Sequence, residues 1–188
     1  MKKTLLMIPL CLILMAGTLG AAEVAGVKLA EQLTLEGKTL ALNGAGLRSK
    51  FFVKVYVAGL YLEKRSSDPD TILSSDQIRQ VRMVMTRDLG RDKIVEAVEE
   101  GFEKNNKSRM PALRARLAQF VSVIPDLKAG DELIITYVPA KGTTLTSRSG
   151  VTVTIEGKDF GDALFSVWLG DYPVDEKLKT GMLGQSSR

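Results

Sequence analysis

Residues 43–64, NGAGLRSKFFVKVYVAGLYLEK, hold two side chains suited to binding an anion: Arg48 and, eight positions on, Tyr56. A guanidinium is a planar fork that grips a carboxylate through two parallel N–H bonds, and it keeps its charge when buried. A phenol offers one further O–H donor to the same oxygens. Plainer readings stand beside this one: an arginine exposed next to a turn, and a tyrosine packed in the core with its hydroxyl on a backbone partner. Spacing is the obstacle, because eight residues of strand span about 26 Å. The two converge only if the chain bends near residues 49–50 or the long arginine side chain reaches back over the sheet. Lys54 shares strand parity with Tyr56, and it either snorkels to the rim of the sheet or lines a cleft.

Other chemistries find little support. The chain of 188 residues has no histidine and a single cysteine, Cys11. That removes Ser–His and Cys–His catalysis and the usual imidazole zinc sites. No pair of carboxylates is placed for metal or glycosidase chemistry, and nothing points to a cofactor. Asp159 and Asp162 sit near an expected helix start, where they suit the dipole and the cap. Basic residues cluster between 79 and 116, but Asp88, Asp92, Glu96, Glu99, Glu100 and Glu103 interleave with them. This is a solvated face of mixed charge rather than a nucleic-acid surface.

The first 22 residues read as a secretory leader. Lys2 and Lys3 precede an apolar run over residues 5–15, and small residues follow up to Ala22. The run falls short of the about 20 residues a membrane span needs. Cleavage after Ala22, or after Ala21, leaves a periplasmic or secreted domain over residues 23–188, without cysteine and without a stable membrane span. Taking Lys2 and Lys3 from the 26 basic residues leaves an excess of two over the 22 acidic ones. A composition of 45% hydrophobic and 26% charged residues is that of one ordinary globular domain.

The elements that must position Arg48 and Tyr56 follow from periodicity. Residues 24–42 predict two short strands joined by a tight turn at Glu36-Gly37. Residues 43–46 read as a glycine-rich turn. Residues 51–62 predict a strand that is apolar on both faces and therefore central. Residues 66–70 read as a turn and 77–87 as another strand. Helical spacing appears over 90–107 and again after Met110-Pro111. Strands return at 132–138, 143–147 and 151–155. Two helices close the chain, the first with Trp168 in its core stripe and the second capped by Asp175. Strands grouped with strands, and helices in later blocks, indicate an α+β domain: an antiparallel sheet with helices on one face.

The stretch from Gly44 to Lys64 resembles the opening motif of the chalcone isomerase fold family, a glycine turn, an arginine and a long strand. Residues 155–184, IEGKDFGDALFSVWLGDYPVDEKLKTGMLG, are similar to the end of the bacterial chalcone isomerase-like proteins. The resemblance implies an open-faced β-sandwich with a ligand cleft between a large sheet and a helical layer. Plant members cyclise chalcones by intramolecular Michael addition, and other members bind fatty acids. Arg48 falls on the family arginine, catalytic in the enzymes and bound to the carboxylate in the fatty-acid binders. Tyr56 falls where the enzymes place a threonine and the binders a tyrosine. The segment between Arg48 and Phe52 is shorter than in the plant enzymes, and Val167 stands where they have an active-site threonine. Their tyrosine and asparagine from the helical region find no match between Lys107 and Phe120.

Two functions are therefore expected. The first is a non-catalytic binder of a fatty acid or similar amphipathic carboxylate, held by Arg48 and Tyr56. The alternative is an isomerase, an intramolecular lyase acting on a chalcone-like or other enone substrate. A scaffold with an empty cleft is a third reading.

Overall fold

The computed structural model describes residues 20–147, 150 and 152–185. Most of the expected leader, with Cys11, lies outside the described residues, as do Ser149 and Val151 of the expected last hairpin. Strands β1 (Ala21–Val24) and β2 (Val27–Ala30) form a hairpin of their own. Then come β3 (Gln32–Leu35), β4 (Lys38–Lys50), β5 (Val53–Leu62), β6 (Arg79–Met85), β7 (Glu132–Val138), β8 (Gly142–Ser147) and β9 (Thr152–Ile155). Each pairs with the next in one seven-stranded antiparallel meander. Helix α1 (Pro69–Ser74) links β5 to β6, and α2 (Arg91–Asn106) and α3 (Met110–Ser122) link β6 to β7. Helices α4 (Lys158–Leu169) and α5 (Glu176–Met182) follow β9. The architecture is the expected α+β one.

Strand β5 is apolar on both faces because both are covered. Tyr56, Ala58, Leu60 and Leu62 enter the large core with Phe102 of α2, Phe120 of α3 and Phe160 and Leu164 of α4. Val57 and Tyr61 enter a smaller core with Leu29 of β2 and Leu40 and Leu42 of β4. The β1–β2 hairpin thus covers part of the face that the helices leave open.

The chain departs from the sequence reading just where the candidate site begins. Residues 43–46 are not a turn but the middle of β4, thirteen residues long. The glycines are there because α5 lies on the strand. A Cβ on Gly44 would stand 2.2 Å from the carbonyl oxygen of Gly181, and one on Gly46 would stand 3.1 Å from Leu178. Asn43 bulges out of register between Leu42 and Gly44. Its amide donates to the carbonyls of Ser66 and Met182, tying α5 down.

The reversal comes later, at Phe51-Phe52, so β5 begins at Val53 rather than Phe51. Three hairpins here use two-residue turns with both φ positive: Ala25-Gly26, Glu36-Gly37 and Phe51-Phe52. This type I′ pattern suits the twist of the strands and favours Asn-Gly or Asp-Gly. The first two carry glycine at the second position. The third puts a phenylalanine at φ 49° and another at φ 65°. A non-glycine residue in the left-handed region costs roughly 1–2 kcal/mol.

Candidate functional site

Because the chain reverses at Phe51-Phe52, Arg48 and Tyr56 do not lie along one strand. They are direct cross-strand partners in the β4–β5 ladder. The Arg48 guanidinium carbon lies 5.6 Å from the centroid of the Tyr56 ring, within cation–π range. Next to this pair the ladder slips: Arg48 faces Tyr56 and Ser49 faces Lys54, which leaves Val55 as the extra residue of a β-bulge. The bulge changes parity. Val53 and Val55 line the cleft beside Arg48, Tyr56 continues into the core, and Lys54 points away into solvent. Of the two readings of Lys54, the rim holds and the cleft does not.

The cleft has a volume of about 550 Å³, within the usual range for ligand sites. One wall is the β4–β5 tip. The other is the exposed face of α2, with Lys93, Ala97 and Lys104, and Tyr172–Val174 after α4 closes one end. Beneath lies an apolar chamber of about 30 Å³ between sheet and helices, lined by Tyr56, Met83, Met85, Ile94, Val167 and Trp168. Arg48 borders both spaces and stands at the threshold between them. The chamber as it stands holds about one water. Met83 and Met85 are the side chains best able to move aside for a chain, being unbranched and flexible.

Arg48 and Tyr56 are both donors. Arg48 is half-buried, and it makes no hydrogen bond or ion pair among the described residues. The buried Tyr56 hydroxyl accepts from Trp168 Nε1–H at 3.0 Å, which leaves its own proton to give. Burial pushes the Tyr56 phenol up, against the opposing pull of Arg48 and of the Trp168 hydrogen bond. The hydroxyl therefore keeps its proton at neutral pH. The neighbouring carboxylate, Asp175, is occupied elsewhere: Oδ1 accepts from Leu178 N as the cap of α5, and Oδ2 accepts from Ser49 N at 3.3 Å. Arg48 and Tyr56 are thus two donors on paired strands, and the acceptors on the facing α2 wall, Glu96 and Glu100, are held by Lys93 and Lys104; a carboxylate is a group that can accept from both.

Trp168 is the member that sequence reasoning missed. Its helical spacing marks it as core, and core it is. The available signal was physical: a buried indole N–H requires a partner, and Tyr56 is the polar core tyrosine of the neighbouring strand. Val167, read as lacking the hydroxyl of the plant enzymes, does line the chamber. Among the described residues no group of three or more His, Cys, Asp or Glu side chains could hold a metal ion.

A second arginine was also missed. Arg79 of β6 is 0% exposed. It donates to the carbonyls of Ile72 and Leu73 at the end of α1 and pairs with Asp162 of α4. Its guanidinium lies between the rings of Tyr137, at 4.7 Å, and Phe165, at 4.9 Å. The Tyr137 hydroxyl in turn donates to Asp76 at 2.6 Å. Asp162 is therefore not a cap but the counter-ion of Arg79 and of Lys158. Asp159 does stand in the first turn of α4, and both its oxygens accept from Arg116 of α3, at 2.9 and 2.6 Å.

A family model described as chalcone isomerase-like matches residues 21–184. None of the curated proteins compared matches the chain. Among solved structures, the fold is similar to that of a fatty-acid binding protein of Arabidopsis thaliana. The TM-score is 0.68 at 15% sequence identity, over 87% of this chain and 96% of that one. At that identity the likeness establishes the fold.

Proposed function

For a chain that belongs to the chalcone isomerase-like family, we propose that this domain binds a fatty acid or similar amphipathic carboxylate and performs no chemistry on it. The observation that carries this reading is the threshold itself: the Arg48 guanidinium, without a hydrogen bond or ion pair among the described residues, lies beside Tyr56 where an open cleft meets an apolar chamber. The headgroup binds there. The acyl chain follows the apolar wall of Val55 and Leu89 or enters the chamber as Met83 and Met85 shift. The structurally similar Arabidopsis protein, itself a fatty-acid binder, supports the same ligand class.

Cyclisation of an enone asks for more than two donors. It needs a base within hydrogen-bond reach of the proton it takes. Asp175 is capping a helix, and Glu96 and Glu100 on the far wall are paired with Lys93 and Lys104. Val167 adds no hydroxyl. Incubation with a chalcone should give no saturable conversion to one flavanone enantiomer.

The protein is also proposed to be exported, on the charged, apolar and small-residue pattern of its first 22 residues. Cleavage after Ala22 removes half of β1 and leaves Glu23 and Val24 paired with Lys28 and Val27. Sequencing of the exported chain should begin at Glu23 or Ala22; an intact Met1 on a membrane-attached chain would contradict export. Native mass spectrometry of the exported protein tests the ligand reading. It should carry co-purified acyl chains of the host cell. A clean apo mass that stays unchanged when a long-chain fatty acid is added would overturn it.

A further inference from the structure

The exposed large apolar side chains among the described residues are four: Phe51, Phe52, Val53 and Tyr172. They are not scattered. Phe51, Phe52 and Val53 form the β4–β5 tip, and Phe51, Val53 and Tyr172 line the cleft at its mouth. Phe51 is 85% exposed and Phe52 fully so. Isolated apolar residues on a surface need no explanation, but apolar groups gathered at one opening mark a contact.

The backbone makes the same point independently. Both phenylalanines are held in the left-handed region, in a turn whose counterparts in this chain place glycine second. Aromatic residues persist in such a conformation when something other than stability retains them. The stiff two-residue hairpin presents both rings outward, beyond the strands.

Charge identifies what the tip meets. Lys50 and Lys54 flank the two phenylalanines, and Arg87 stands across the cleft mouth. All three are exposed, and none forms an ion pair with a carboxylate among the described residues, Glu100 of α2 acting on Lys50 only at longer range. Aromatic side chains bracketed by exposed cations form an amphipathic edge of the kind that settles at an anionic lipid interface: rings among the headgroups and acyl boundary, ammonium groups on the phosphates.

We infer that the Phe51-Phe52 hairpin docks the protein on the surface of an anionic lipid bilayer, with the mouth of the cleft turned toward it. The inference rests on the acyl-binding reading only for its purpose, which is to pass a poorly soluble chain between membrane and cleft without crossing water. Docking itself stands on the tip alone.

The test uses the exported protein, its N-terminus determined, and vesicles free of fatty acid, so that the content of the cleft plays no part. Flotation should show partition onto phosphatidylcholine–phosphatidylglycerol vesicles, about tenfold or more weaker on phosphatidylcholine alone. Phe52→Gly should weaken partition at least about tenfold, the loss of one phenylalanine from the apolar contact. That variant keeps the fold, because glycine accepts the positive φ, and it should melt at the same temperature as the parent or higher. Equal partition of parent and Phe52→Gly would overturn the inference. So would failure of the parent to bind either vesicle, which would assign the tip to a protein surface instead. Titration of a fatty acid in vesicle-free solution reports separately on the cleft, so docking and cargo can fail independently.

Discussion

Two arginines of this sheet each lie over a tyrosine ring, and they have opposite roles. Arg79 over Tyr137 is closed at both terminal nitrogens: two carbonyls and a carboxylate accept from them, two rings lie beside the guanidinium, and the Tyr137 hydroxyl donates a hydrogen bond to Asp76. Arg48 over Tyr56 is open: it has no hydrogen bond or ion pair among the described residues, Glu100 acts on it only at longer range, and the Tyr56 hydroxyl has its own proton to donate. The same residue pair is a structural cross-link in one place and, on the proposed function, a receptor in the other. The difference lies in acceptors. Where the fold supplies them, a buried charge holds elements together; where it withholds them at a cleft, the charge stays available, as the proposed function requires.

The contrast is sharpest in stability. Arg79→Ala takes one of its two cations from Asp162, which keeps Lys158, and takes a donor each from the carbonyls of Ile72 and Leu73, which keep Ser75 and Lys158. Removing one partner of a buried pair costs about 3–5 kcal/mol. For a domain of this size each kcal/mol lowers the melting temperature by about 2–4 °C, so a calorimetric scan should show a fall of about 10 °C. Tyr56→Phe comes next. It removes the acceptor of the buried Trp168 N–H, at about 1–3 kcal/mol of stability, and one donor to the ligand. Denaturant melts should show the first loss, and titration should show an affinity only a few-fold weaker.

Arg116→Ala should have a smaller effect, and one that depends on pH. The side-chain hydrogen bonds from Arg116 hold the Asp159 carboxyl below its ordinary range. A depressed carboxylate contributes stability above the unfolded value, near pH 4, and that contribution is lost as pH falls through the lower folded value. The pair is half-exposed, so the whole effect stays within about 1 kcal/mol. Melts of parent and variant should differ at neutral pH and converge in acid. Arg48→Ala should change stability least of all, by no more than about 0.5 kcal/mol, since among the described residues no hydrogen-bonded partner depends on it.

The sequence carried the α+β class, the central strand and the helical layer, because periodicity of 2 and of 3.6 reports which faces are covered. It also carried Glu36-Gly37 as a turn and Asp175 as a cap, which are local signals. It misplaced the reversal beside the site for a local reason too. Gly44 and Gly46 look like turn residues, yet they are small because α5 lies on them, a tertiary cause that no local pattern contains. Phe51-Phe52 looks like strand and is the turn, against the preference of both residues. That one displacement separated Arg48 from Tyr56 by the length of a strand on paper, when they are neighbours across a ladder. The Val55 bulge, which moves Lys54 off the cleft, was equally hidden, since bulges follow from pairing and not from composition. Arg79 was hidden because an arginine in an apolar strand discloses its burial only through partners on other elements. The short helix α1 was legible and overlooked: Asp68 before Pro69 is a cap followed by a first-turn proline.

The central claim is that Arg48 is a receptor for a carboxylate and Arg79 is not. The direct measurement is calorimetric or fluorescence titration of the purified protein and of Arg48→Ala with one long-chain fatty acid, beside a thermal melt of each. Removing one side of a desolvated charge pair costs about 2–5 kcal/mol. Affinity should therefore fall at least about thirtyfold while the melting temperature holds, and Arg48→Lys should recover part, since an ammonium cannot form the fork. Equal affinity in parent and Arg48→Ala would contradict the claim, and so would a melting temperature that falls as far as that of Arg79→Ala.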